Sequence, residues 1–230
     1  MTVVEPVKRP TVPSGTASVL VAGVTVWLLA PNGTARLALV GQLATLGVLA
    51  GGFALFRRDH RPLGVVAAFV GLVAWVGALA VAATATADLG EALVSLPGMA
   101  GLLALALALA PLRGSGSRGL LKLGAAGVTL SVLAAGLFGS VPLRTLLVCG
   151  AATFLAWDLG ENAVNVGEQL GRRATTRRLE AAHGAGSLLV GGVAVGAGTV
   201  VSDVGSSGLP LPALALLLAS VLLLAGALHG

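Results

Sequence analysis

Seven polar side chains recur along one stretch of this sequence: Asp158, Glu161, Asn162, Asn165, Glu168, Gln169 and Arg172. Their steps are three, one, three, three, one and three. On a helix turning about 100° per residue they fall within an arc of about 120°. The opposite side carries Gly160, Ala163, Gly167, Leu170 and Gly171. The pattern predicts one polar stripe backed by a face of small residues. Asp158 and Glu161 lie one turn apart, a spacing at which two carboxylates can share a proton or a cation. Asn162 and Asn165 stand where their amides can hydrogen-bond that pair. The same residues equally suit a helix that leaves a membrane and presents a solvated face. Glu168 and Arg172, at i and i+4, have the spacing of ordinary helix support.

The depth of the stripe decides between these chemistries. Thr145–Trp157 is thirteen residues, too short to span a bilayer. If the helix starts near Val141, Asp158 sits at the inner interface. If it extends into the stripe, Asp158 lies about 10 Å inside the hydrocarbon, where a carboxylate must be paired, protonated or hydrated. Beyond the stripe come Arg172, Arg173, Arg177 and Arg178. They fit stop-transfer charge, and equally the docking of lipid phosphates or of an acidic partner. His183 has no second histidine near it and no H-E-x-x-H, so no metal site is expected. No phosphate loop, nucleophile elbow or nucleotide fold signature appears, no lysine sits mid-span to carry a retinal Schiff base, and no cofactor is expected. The single cysteine, Cys149, lies in an apolar run and can form no intrachain disulfide.

The elements that must position these residues follow from composition. Hydrophobic residues make up 56% of the chain and charged residues 10%, against about 25% charged in a soluble domain. Mean hydropathy is +0.98. Lipid is therefore the expected solvent, and the fold class is an all-α polytopic bundle of about eight helices. The spans read as 14–30, 35–56, 63–83, 93–112, 120–138, 141–160, 184–201 and 211–228. Residues 1–13 read as a flexible cytoplasmic tail, and 158–183 as a cytoplasmic amphipathic helical segment. No small-x-small cleavage site follows the first run, so it reads as a retained span.

Charge tests this parse independently. With the N-terminus inside, twelve of the fourteen Lys and Arg residues fall in the cytoplasm, leaving only Arg36 and Arg144 outside. Both termini are then cytoplasmic and the location is the cell membrane. The pI near 11 does not signal nucleic acid, because the cations recur between apolar runs and aromatics are only 3%. The expected partners are the lipid bilayer and other membrane proteins.

The small faces predict how the sixth and seventh helices meet. Gly160, Gly167 and Gly171 are expected to pack against Gly191 and Gly192 of the glycine-rich seventh span.

The string DLGENAVNVGEQLGRRATTRRLEAAH, followed by that span, resembles a haloarchaeal family of small multi-pass membrane proteins of uncharacterised function. The resemblance covers Ala156–Val200. Members of that family are encoded near MoxR-type ATPases and transglutaminase-like membrane proteins, which implies a subunit of a membrane assembly. The resemblance brings no catalytic residue with it.

Three functions fit these observations. The first is a structural or interaction subunit docking through the basic segment after the sixth span. The second is a small-solute, ion or proton transporter using Asp158 and Glu161. The third is an intramembrane enzyme, for which the sequence shows no nucleophile–base pair; no enzymatic activity is expected.

Overall fold

The computed structural model describes residues 9–110, 116–138, 141–170 and 176–204. Among them every regular element is helical: α1 (Val12–Leu29), α2 (Gly33–Arg57), α3 (Arg61–Thr84), α4 (Leu89–Leu109), α5 (Arg118–Leu137), α6 (Leu143–Leu170) and α7 (Arg177–Val204). All seven are long and apolar enough to cross a membrane. The expected eighth span, 211–228, lies outside the described residues. The chain divides into two compact units, Met1–Val195 and Gly196–Gly230. Of the second, residues 196–204 at the end of α7 are described.

Local chemistry sets several helix starts. Asn32 caps α2 by accepting from the Ala35 amide at 2.9 Å, and its Nδ2 donates to the Ala85 carbonyl at 3.0 Å. Asp88 caps α4 through the Glu91 amide at 2.8 Å, while the Glu91 carboxylate accepts from the Ala87 amide at 2.9 Å. This reciprocal pair draws the start of α4 back to Leu89, ahead of the expected 93. Ser117 caps α5 through the Leu120 amide.

Within the first unit the helices pack as antiparallel pairs whose backbones approach closely. A Cβ on Gly64 of α3 would lie 2.5 Å from the Phe56 nitrogen of α2. Gly101 and Gly124 similarly bring α4 onto α5, where a Cβ on either would fall 2.6 Å from its nearest neighbour. Only glycine permits such approach. The core between these pairs is built from Leu39, Leu102, Leu105, Leu121 and Val128. α1 runs antiparallel to α6: Thr11 meets Ala163, Ser18 Oγ donates to the Ala156 carbonyl, and Cys149 Sγ approaches the Thr25 carbonyl. Gln42, fully buried on α2, donates to the Met99 carbonyl of α4.

Candidate functional site

α6 runs without interruption from Leu143 to Leu170, through Trp157 and the polar stripe. The stripe is divided among three neighbours. Asp158 faces α7, where its Oδ2 accepts from Ser187 Oγ at 2.5 Å and lies 2.9 Å from His183 Nε2. Asn162 faces α1 and donates to Ser14 Oγ at 3.3 Å. Asn165 and Glu168 face α5: Arg118 Nη2 donates to Asn165 Oδ1 and to Glu168 Oε2, each at 2.7 Å. Glu161 is half-buried and makes no hydrogen bond or ion pair among the described residues. The structure therefore pairs Asp158 with His183 and Ser187.

The residue that sequence reasoning missed is Glu180. It sits one turn into α7, is only 4% exposed, and reaches across to the first turn of α1. Its Oε2 accepts from Thr11 Oγ1 at 2.7 Å, from the Ser14 amide at 3.0 Å and from Ser14 Oγ at 2.6 Å. Its Oε1 accepts from Thr176 Oγ1 at 2.5 Å. Thr11 occupies the N-cap position of α1 but its side chain makes no capping bond. Glu180 supplies that cap from a distant helix, satisfying an otherwise orphaned amide and placing negative charge at the positive end of α1. No local spacing could announce this, since the partners are 166 residues apart. The available signal was a single carboxylate following Arg177 and Arg178, whose i, i+3 spacing from Arg177 suggests only a local helix pair.

Residues 9–11, expected as the end of a flexible tail, lie against α6. The Thr11 amide donates to the Ala163 carbonyl at 3.0 Å, and a Cβ on Gly167 would collide with the Arg9 carbonyl. Gly167 thus clears the space through which the arm reaches Ala163.

This corrects the expected partners of the small face. The nearest neighbours of Gly160 are Leu121 of α5 and Ser18 of α1, and those of Gly167 are Arg9 and Pro10. The physical reason is that the stripe's polar side chains take α7 at Asp158, leaving the small face to α1 and α5. On α7, Gly184 faces Leu159 and Gly191 faces Ala151 at 3.7 Å, whereas nothing lies within 4 Å of a Cβ at Gly192. Gly171, Arg172 and Arg173 lie outside the described residues. Arg177 and Arg178 are exposed at the start of α7. The Gly191→Leu variant is accordingly expected to lower stability by about 1–2 kcal/mol through overpacking, and Gly192→Leu to leave it within about 0.5 kcal/mol. Thermal unfolding of both in detergent checks the contrast; equal losses would put both glycines in the same environment.

The Asp158, His183 and Ser187 trio has the composition of a hydrolytic triad but not its wiring. Both donors converge on one carboxylate oxygen, and the single Ser187 hydroxyl proton is shared between that oxygen and the His183 carbonyl at 3.1 Å. A triad needs the hydroxyl bonded to the imidazole so that histidine can take its proton. Among the described residues no group of three or more His, Cys, Asp or Glu residues is placed to hold a metal ion.

A family model matches residues 72–225, more than half of the chain. The chain belongs to DUF7519, a family of unknown function. The DUF7519 match includes Asp158, Glu180 and the whole stretch that carries the resemblance noted above, while Thr11 and Ser14, which Glu180 holds, precede it. No curated protein and no solved structure matches the chain.

Proposed function

We propose that this chain is a multi-pass integral protein of the cell membrane, with eight spans and both termini in the cytoplasm, serving as a non-enzymatic structural or interaction subunit of a membrane assembly. The observation that carries the reading is the fate of the stripe. Asp158, Asn162, Asn165 and Glu168 bond to the chain's own α7, α1 and α5, and so act as clasps between helices. That use leaves Arg177 and Arg178 as the exposed polar face beside them. Membrane residence is supported by seven helices of spanning length and by outward-facing apolar side chains such as Phe69, 66% exposed on α3. Orientation is supported by the charge bias.

Two experiments test the proposal. Single cysteines near residues 60, 90, 115, 140 and 205 are expected to label alternately from inside and outside; inside labelling at both 90 and 205 would refute the topology. For the subunit role, native gels of gently solubilised source membranes are expected to show the chain in a complex. That complex should persist in Asp158→Asn/Glu161→Gln and dissociate in Arg177→Glu/Arg178→Glu. A complex unaffected by the arginine reversals, or an ion flux abolished by the amide pair in the folded protein, would overturn the interaction reading.

A further inference from the structure

A groove of 410 Å³ opens between α5 and α6, lined among others by Lys122, Thr129, Leu133, Gly150, Phe154 and Trp157. Its origin is local. Arg118 ties α5 to α6 at one end through Glu168, and Gly136 meets Leu146 toward the other. Between those ties the floor is made of small residues, and nothing lies within 4 Å of a Cβ at Gly150. We propose that this groove holds an acyl chain of an anionic phospholipid whose phosphate pairs with Lys122.

Length, volume and charge all point to that occupant. Lys122 to Leu133 spans about 16 Å along α5 at 1.5 Å per residue, close to the ~15 Å that one leaflet contributes to the hydrocarbon core. A volume of 410 Å³ lies within the roughly 300–1,000 Å³ of small-ligand sites. A membrane helix, about 10 Å across and ~30 Å long, would need on the order of 2,000 Å³. The walls are apolar apart from the Thr129 and Thr153 hydroxyls, which donate to carbonyls of their own helices, and from one end, where Lys122 is exposed and has no ion-pair partner among the described residues. Arg118, one turn nearer the helix start, is already committed to Glu168 and Asn165. A lysine there can run its stem along the groove and raise its ammonium to headgroup level. Trp157 stands at the same end with its ring edge-to-face on Phe154, centroids 5.5 Å apart, the residue type that favours the headgroup boundary.

The inference rests on the membrane reading, so its test separates the two. The full-length protein is placed in vesicles of phosphatidylcholine containing an equal mole fraction of either brominated phosphatidylglycerol or brominated phosphatidylcholine. Quenching of tryptophan fluorescence is measured for the wild type, Trp157→Phe and Trp27→Phe, which assigns the signal to each ring. Trp27 is exposed on α1 with the Arg36 guanidinium 5.9 Å from its ring, so its quenching by phosphatidylcholine is the readout of bilayer contact. Absence of quenching at Trp27 by both lipids would sink the membrane reading itself. At Trp157 the phosphatidylglycerol probe is expected to show an about fivefold higher relative affinity, the worth of one basic residue at an anionic surface. Lys122→Ala should bring the two lipids to parity and Lys122→Arg should restore the preference. Thr129→Phe, which fills the groove, should weaken quenching of Trp157 by both; if it fails to fold, the Lys122 pair decides alone. Equal quenching by both lipids in the wild type, or a preference that survives Lys122→Ala, would overturn the proposal. So would a disulfide between cysteines placed at Thr129 and at any position from 214 to 221, because the chain's own last apolar run would then fill the groove.

Discussion

Glu180→Ala is expected to lower the unfolding free energy by about 3 kcal/mol, among the largest losses available from a single side chain here. Truncation strands the Ser14 amide, which is buried at the first turn of α1 and has the Glu180 carboxylate as its acceptor. It also leaves the hydroxyls of Thr11, Ser14 and Thr176 to find new partners. Hydroxyls can rotate toward other acceptors, but an amide at a helix start cannot, so the loss centres on Ser14. Glu180→Gln keeps an acceptor oxygen and should cost less, near half as much. The measurement is denaturant or thermal unfolding in a fixed detergent, run as a double-mutant cycle with Ser14→Ala. A coupling energy of about 1–3 kcal/mol is expected between the two positions. Because Ser14→Ala removes the hydroxyl and keeps the backbone amide, additive losses would show that the carboxylate acts on α1 through the amide and Thr11 and not through the Ser14 hydroxyl.

Gly167→Leu should release the arm formed by residues 9–11. A side chain at 167 must occupy the volume held by the Arg9 carbonyl and the Pro10 Cα. Neither is the far end of a flexible side chain, so the arm has to leave rather than adjust. With it goes the bond from the Thr11 amide to the Ala163 carbonyl, and Thr11 is drawn away from Glu180. The expected cost is about 2–3 kcal/mol, at the upper end for overpacking. Hydrogen exchange gives the sharper readout. The Thr11 amide should exchange slowly in the wild type and at close to the unprotected rate in the variant. A Thr11 amide still protected in Gly167→Leu would mean that the arm is held by other contacts.

How much of this was legible beforehand varies residue by residue. The seven described helices follow from long apolar runs broken by Pro, Gly and charge, and the continuity of α6 past Trp157 follows from polar side chains recurring at three and four. Helix starts were less legible. Asp88 and Glu91 fall between the expected spans 63–83 and 93–112, yet they form a cap that lengthens α4 by a turn. Partner choice was not legible. Asp158, Asn162 and Asn165 share one face of α6 but meet three different elements, because an arc of about 120° is wide enough to touch more than one neighbour. Gly160 and Gly167 announce close approach without saying to what; their neighbours come from α5, α1 and the arm before it. Glu180 is the extreme case, since its role exists only once α1 and α7 lie side by side.

The Glu180 clasp has a consequence for the order in which the protein is made. The first helix emerges from the ribosome with its opening turn incomplete, and the carboxylate that completes it is encoded 166 residues later. At roughly 5–20 residues per second, that interval is about 10–30 s. Throughout it the Ser14 amide must borrow a partner from water or from lipid headgroups, or from the machinery that inserts the chain. A nascent chain that stops short of residue 180 would expose this uncapped turn as a local mark of incompleteness, close to its own beginning.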